Sequence, residues 1–92
     1  ASHMALGDMY ANNKQLDDAV RSFKKTAKIA DSEAADNTNN SVSPLALRKA
    51  GIILESQGKK ADAHDIYTEI KKKYVNSAAY QDIDKYIERT AN

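Results

Sequence analysis

A histidine with a carboxylate on either side is the first group in this chain whose residue types could carry chemistry. Asp62, His64 and Asp65 lie close together in the sequence, and imidazole with carboxylates can bind a metal ion or transfer protons. A metal site needs several ligands that converge, whereas neighbouring residues on a helix point apart. The sequence therefore predicts a surface or boundary histidine here and no metal centre.

Three consecutive lysines, Lys71 to Lys73, form the second candidate, because clustered cations can bind phosphate groups. The run falls in the last turn of a predicted helix, where cations also complement the helix dipole. The adjacent Tyr74 belongs to the predicted buried face of that helix, which argues against a basic and aromatic nucleic-acid surface. We favour cations at a helix terminus over a phosphate site.

No further pattern in the sequence indicates catalysis. It contains no glycine-rich phosphate loop and no catalytic motif, and the lack of cysteine excludes a thiolate nucleophile or a disulfide. Fourteen basic and 13 acidic residues give a net charge of +1, which is too balanced for a nucleic-acid-binding surface. The sequence thus predicts a protein that is not an enzyme, with no cofactor, no metal and no nucleic-acid partner.

The 92 residues suit one small domain. No apolar run approaches the about 20 residues that a membrane-spanning helix needs, so we expect no direct membrane insertion by this stretch of chain. No signal peptide is present. Residues 1–4, Ala-Ser-His-Met, are typical of a cloning scar and do not enter the functional interpretation.

Apolar residues recur at helical spacing in five segments, and no segment favours a β-strand. The first turn contains Asn12, Asn13 and Lys14, and asparagine tolerates the left-handed conformation that often ends a helix. Ser43 is the predicted N-cap of the third helix, Gly58 ends that helix, and Ser77 caps the fifth. The predicted helices cover approximately residues 4–12, 15–30, 44–57, 59–73 and 78–89.

Residues 31–43 form the one low-complexity segment of the chain. They are mostly Asp, Asn, Ser and Thr, and their apolar residues show no period. Such a composition is typical of exposed connections, because it offers many turn formers and little surface to bury. The sequence therefore predicts a mobile polar loop over residues 31–43.

A pattern of small and aromatic residues occurs twice in the chain. Each copy has a glycine, then an alanine 12 positions later, then an aromatic residue four positions after that. A glycine within a helix costs about 1 kcal/mol relative to alanine, so we expect each glycine to permit close approach of the partner helix, with the aromatic ring filling the space. The two copies are Leu6, Gly7, Tyr10, Ala19 and Phe23, and Ala50, Gly51, Leu54, Ala63 and Tyr67.

This spacing resembles the tetratricopeptide repeat, whose pattern is W-x2-L-G-x2-Y, then A-x3-F, then P. The resemblance implies an all-α fold in which two helix–turn–helix repeats, residues 5–30 and 44–75, precede a capping helix at 76–92. It also implies a right-handed α-solenoid, and the loop at 31–43 accounts for spacing beyond the usual repeat of about 34 residues. The departures from the pattern are His3 and Leu47 in place of tryptophan, Leu54 in place of tyrosine, and Asp31 and Val75 in place of proline.

In this family the first helix of each repeat lines a concave groove that binds peptides or partner helices. The resemblance therefore implies a partner-binding face, and the alternative is that its apolar members belong to the core and its charges to a solvated surface. The basic and amide residues with which some relatives bind a chaperone's C-terminal carboxylate are absent, because Met4, Asp8 and Lys49 occupy those positions. The implied groove residues are Asp8, Asn12, Leu45, Arg48, Ile52, Glu55, Asp82, Tyr86 and Arg89.

Residues 70–89 are also similar to the C-terminal end of bacterial tetratricopeptide proteins that one N-terminal helix anchors in the inner membrane. That similarity implies a larger envelope protein with this region on the periplasmic side of the inner membrane. A cytoplasmic location is the alternative. The lack of cysteine does not decide between these locations, because both cytosolic and exported proteins can lack it.

Two hypotheses for function follow. The first is a non-catalytic protein–protein interaction module that binds a peptide or partner helix along its concave face. The second is a structural segment of a longer α-solenoid, or a homodimer formed through the first helix, because Met4, Leu6 and Met9 have no neighbouring repeat before them.

Overall fold

The computed structural model describes residues 3–91, and the predictions for residues 1, 2 and 92 lie outside them. Over that range the chain forms five α-helices and no strand, which confirms the all-α prediction. The helices are α1 (His3–Asn12), α2 (Leu16–Glu33), α3 (Val42–Ser56), α4 (Lys60–Lys73) and α5 (Ala78–Thr90).

Each helix packs against the next one in the chain, and α3 also contacts α5. The molecule measures 35 × 33 × 16 Å, so its thinnest dimension accommodates about two layers of helices, each about 10 Å across. The short connections make successive helices antiparallel, so that α2 and α4 run in the same direction. The right-handed solenoid arrangement stays a prediction.

The core contains the small and aromatic residues of both sequence copies. Phe23 and Tyr67 are 1% and 0% exposed, and Ala19 and Ala63 are both 0% exposed. A Cβ added to Gly7 would lie 2.7 Å from the nearest Phe23 ring atom, and the corresponding distance from Gly51 to Tyr67 is 2.5 Å. Both glycines therefore permit the close approach that the sequence indicates.

Two of the four predicted helix ends are confirmed and two are different. Gly58 has a positive φ of 77°, and the Ser77 side chain accepts a hydrogen bond from the backbone N–H of Tyr80 at 3.2 Å. In the first turn, however, the left-handed residue is Lys14, with φ of 62°, and neither asparagine adopts this conformation. The tight connection between α1 and α2 requires a left-handed residue at position 14, and lysine adopts that conformation there although asparagine would prefer it more strongly.

The polar segment is shorter than the sequence indicates. Helix α2 continues to Glu33 and α3 begins at Val42, so the prediction of a loop over 31–43 is wrong at both ends. Ser43 lies inside α3 and is not its N-cap. The Asn39 side chain instead accepts hydrogen bonds from the backbone N–H groups of Ser41 (3.0 Å) and Val42 (2.8 Å) at the start of that helix.

The Asp31 carboxylate contacts this segment and the helices around it. Its Oδ1 accepts hydrogen bonds from the Ser43 hydroxyl at 2.6 Å and from the backbone N–H of Asn39 at 2.8 Å. Its Oδ2 accepts hydrogen bonds from the Lys73 ammonium group at 2.9 Å and from the Tyr74 hydroxyl. The carboxylate therefore joins the end of α2, the connection, the start of α3 and the end of α4.

These contacts set the protonation of the group. Burial alone would raise the pKa of Asp31, but hydrogen bonds from Ser43, Tyr74, Asn39 and Lys73 outweigh it and lower the pKa to about 2. A carboxyl whose pKa is lowered in the folded state stabilises the fold above its unfolded pKa, near 3.9, and loses that effect as the pH falls toward 2. The shift corresponds to about 2 kcal/mol.

We expect the substitution Gly7→Ala to destabilise the protein by about 1–2 kcal/mol, because the new methyl group overlaps the Phe23 ring and the gain in helix propensity offsets only part of that strain. Urea unfolding measures the change. In the Phe23→Leu background, the added methyl group has more room and should cost less. Equal effects of Gly7→Ala in both backgrounds would contradict this account.

We expect Asp31→Asn to lower the free energy of unfolding by about 2 kcal/mol near pH 7. The difference from the unsubstituted protein should shrink as the pH falls from 5 toward 2, and chemical denaturation at a series of pH values measures it. Asp82→Asn, on the exposed face of α5, is the matched control and should change stability little. A difference that stays constant with pH would show that ionisation of Asp31 is not responsible.

Candidate binding surface on the third helix

Helix α3 carries large apolar side chains on its outer face as well as in the core. Leu45 and Ile52, one heptad apart, are 40% and 44% exposed, and Val42, in the preceding turn, is 37% exposed. Few large aliphatic side chains of this chain are as accessible, so a row of them on one helix marks a candidate contact surface. We call Leu45, Arg48 and Ile52 the α3 surface.

Two ion pairs border the α3 surface. On one side the Lys49 ammonium group lies 2.9 Å from Oδ1 of Asp8, which joins α3 to α1. On the other side the Arg89 guanidinium donates two hydrogen bonds, of 2.8 and 2.7 Å, to the Glu55 carboxylate, which joins α3 to α5. Exposed pairs of this kind are individually weak, but the two-pronged Arg89 contact also fixes the direction of both side chains.

Glu55 and Arg89 belong to a larger cluster with two tyrosines. The Tyr67 hydroxyl donates a hydrogen bond to Oε1 of Glu55 at 2.6 Å, and the Arg89 guanidinium lies 4.7 Å from the centre of the Tyr86 ring. The centres of the Tyr67 and Tyr86 rings are 5.2 Å apart. The cluster therefore connects α3, α4 and α5 through polar and aromatic contacts.

The cluster also shifts the pKa values of its members. The hydrogen bonds from Arg89 are the main cause that lowers the pKa of Glu55 below its ordinary value. Burial is the main cause that raises the pKa of Tyr67, and the hydrogen bond to Glu55 adds to it. These contacts therefore favour the carboxylate form of Glu55 and the neutral phenol form of Tyr67.

The predicted groove residues therefore divide into two groups. Asp8, Glu55, Tyr86 and Arg89 contact other residues of this chain and hold helices together. The second group is available to a partner: within residues 3–91 the half-buried Arg48 has no ion pair or side-chain hydrogen bond, and Ile52 is exposed instead of lying in the core. Asn12, Leu45 and Asp82 are also exposed.

A shallow depression of about 360 Å³ lies beside the α3 surface. Leu45 and Arg48 form one side of it, and Ala78 and Ala79 at the start of α5 form the other. The depression gives an incoming side chain apolar contact and a cation within one site. Asn40, Ser41 and Asn76 add polar groups to its lining. The depression therefore offers polar and apolar contacts in nearly equal measure to a side chain of a partner.

Two features of this region are absent from the predicted groove: Val42 as a further exposed apolar residue of α3, and the Tyr67 hydroxyl as a hydrogen-bond donor to Glu55. The first could have been found, since Val42, Leu45 and Ile52 follow helical spacing separately from the buried face that contains Leu47 and Leu54. The contact of the Tyr67 hydroxyl could not have been found from the sequence, because it joins residues on different helices and depends on how those helices pack.

The residues around His64 and the three lysines 71–73, the two candidates for chemistry in the sequence, contact other residues of this chain. His64 is half-buried, and its Nδ1 lies 3.3 Å from the Thr90 hydroxyl oxygen. Lys71 lies 2.6 Å from Asp84, and Lys73 contacts Asp31, so two of the three lysines pair with carboxylates. Among residues 3–91 no three histidine, cysteine or acidic residues come together as a metal site would require.

We expect Arg89→Gln to lower the free energy of unfolding by about 1 kcal/mol, because Glu55 loses two charge-assisted hydrogen bonds and Tyr86 loses the nearer of the two cations over its ring. Arg48→Gln is the matched control, since that guanidinium has no partner in the described part of the chain, and should change stability little. Thermal unfolding of both variants measures the difference. Equal stability of the two variants would show that the cluster does not hold α5 in place.

No family model, curated protein or solved structure matches this chain. The tetratricopeptide resemblance accordingly rests on the residues quoted above. In the described range no helix has both the length and the apolar character needed to cross a membrane.

Proposed function

We propose that this chain is a non-catalytic protein–protein interaction module that binds a peptide or a partner helix along the α3 surface. The observation that carries the proposal is the exposure of Leu45 and Ile52, with Arg48 free of any partner between them in the range 3–91. Exposed apolar residues that alternate with a free cation are typical of protein contact surfaces.

The spacing suggests what the partner presents. Seven residues of helix span about 10 Å, so Leu45 and Ile52 suit two apolar side chains that lie about two helical turns apart. Arg48 between them suits a carboxylate, because its planar guanidinium can donate two parallel hydrogen bonds. The partner is therefore an amphipathic segment with two apolar residues and an acidic residue between them.

The surrounding contacts favour binding by a surface that is already formed. The ion pairs Asp8–Lys49 and Glu55–Arg89 hold α1 and α5 on either side of α3. Less order is then lost when a partner binds, and more of the contact energy contributes to affinity. The positions coincide with those that the tetratricopeptide resemblance implies, which supports the same function.

The setting of the module is also part of the proposal. The similarity of residues 70–89 supports a larger bacterial envelope protein with this region in the periplasm, and a cytoplasmic protein is the alternative. The tests of the α3 surface do not depend on which compartment is correct.

A second candidate function has its own observation. At the edge formed by α1 and α2, Met9 is 50% exposed, and a depression of about 540 Å³ is lined in part by Met4, Ile29 and Val42. These features suit contact with a further repeat of a longer solenoid, or with the first helix of a second copy. Leu6→Ser with Met9→Ser should then abolish self-association through this edge. Self-association that these substitutions leave unchanged would exclude a homodimer formed through the first helix.

Affinity capture with the double variant Leu45→Ser/Ile52→Ser tests the leading proposal. We expect binding of a captured partner to weaken at least about tenfold, because each truncated apolar contact in a binding site costs roughly 1 kcal/mol or more. Capture from envelope and cytosolic fractions, followed by titration of the purified partner, measures the effect and gives the compartment. Arg48→Glu should weaken binding further by repelling the acidic residue.

Val75→Ser is the matched control, because Val75 is 51% exposed, follows the end of α4 and does not line the depression beside the α3 surface. It should bind the partner as the unsubstituted protein does. Tyr86 is a poor probe of the same surface, since its ring packs against Tyr67 and its loss would disturb the cluster. Partner binding that ignores Leu45, Arg48 and Ile52 would overturn the proposal.

A further inference from the structure

Two rows of opposite charge border a groove between α2 and α4, on different helix faces from the α3 surface. The basic row is Lys24 and Lys28 on α2, and the acidic row on α4 includes Asp65 and Glu69. The groove has a volume of about 500 Å³, and Asp62 extends the acidic row. All five side chains belong to exposed residues, and none forms an ion pair within residues 3–91.

The two rows are at matching heights along the groove. Helices α2 and α4 run in the same direction, and the contact between Lys73 and Asp31, of 2.9 Å, fixes their ends side by side. With a rise of about 1.5 Å per residue, Lys28 then lies near the height of Glu69, and Lys24 near the height of Asp65. The two rows nevertheless stay unpaired across the groove.

A second copy of the chain supplies the missing partners. If two copies face each other across a two-fold axis that runs along the groove, α2 of one lies over α4 of the other. This rotation leaves the direction of each helix and its position along the groove unchanged, so each lysine of one copy lies opposite a carboxylate of the other. A two-fold axis across the groove would place like charges together. Charge therefore selects one of the two face-to-face arrangements.

We propose that this chain self-associates through the α2–α4 face, with the basic row of each copy on the acidic row of the other. A stable interface removes about 800 Å² from each partner, whereas the whole chain measures 35 × 33 Å in its two larger dimensions and this face is only part of that area. Exposed ion pairs are individually weak and screened by salt. The dimer is accordingly weak, reversible and sensitive to ionic strength.

A charge exchange between two chains tests the arrangement. The first variant is Lys24→Glu/Lys28→Glu, which makes both rows acidic, and the second is Asp65→Lys/Glu69→Lys, which makes both rows basic. We expect neither to self-associate alone, while a mixture of the two forms a one-to-one dimer, because both contacts across the two-fold axis are then restored. The chain with all four substitutions should self-associate as the unsubstituted protein does.

Sedimentation equilibrium at low and high salt is the measurement. The dissociation constant of the dimer should be at least about tenfold higher in 1 M salt than in 0.01 M salt. The reason is that the screening length falls from about 30 Å at the lower concentration to about 3 Å at the higher one. Circular dichroism checks that the variants are folded, which we expect because the four substituted residues are exposed. Lys14→Glu/Lys60→Glu is the control with the same change of net charge outside the groove, and should self-associate normally.

The remaining outcomes each overturn the proposal. A mixture that stays monomeric would exclude the two-fold arrangement, and an unsubstituted protein that stays monomeric at low salt would exclude self-association. If both charge variants still form dimers, another surface is responsible, and loss of those dimers in Leu6→Ser/Met9→Ser would identify the edge of α1. None of these substitutions touches Leu45, Arg48 or Ile52, so partner binding tests the proposed function separately.

Discussion

The Asp31 carboxylate is the contact on which the arrangement of the helices most depends. A charge removed from water must be compensated by hydrogen bonds, and Asp31 obtains them from Ser43, Asn39, Lys73 and Tyr74. Those donors come from three separate parts of the chain, so the carboxylate is satisfied only when all three are in place. It thus couples the end of one helix pair to the beginning and end of the next.

The two glycine contacts act within the helix pairs α1–α2 and α3–α4, and Asp31 joins one pair to the other. Gly7 against Phe23 and Gly51 against Tyr67 draw each pair together. One turn along α3 from Gly51, the Tyr67 hydroxyl donates a hydrogen bond to Glu55, which also binds Arg89 of α5. The ring that fills the space left by a glycine therefore also orients a carboxylate at the border of the α3 surface, which links the core to the candidate binding site.

Much of the fold was predictable because its signals are local. Helical spacing identified five helices, Gly58 and Ser77 marked two of their ends, and the repeated glycine and aromatic residues identified the close contacts. The extent of α2 was not predictable, since Asp31 belongs to a polar segment by composition and becomes helical through partners as distant in sequence as Tyr74. Likewise, Arg48 and Glu55 are both charged residues of one helix. Only the packing shows that Glu55 pairs with Arg89 while Arg48 has no ion pair among residues 3–91.

The connection between α2 and α3 is held at both ends, by Asp31 on one side and by Asn39 on the other. Residues 35–38 between these anchors are mostly exposed and include Asn37, which adopts a left-handed conformation with φ of 59°. Closure entropy rises slowly with loop length, and the anchors keep the helix ends in register whatever lies between them. Residues 35–38 lie outside the α3 surface and outside the groove between α2 and α4. This short stretch is therefore a suitable place to insert a fluorescent or affinity sequence.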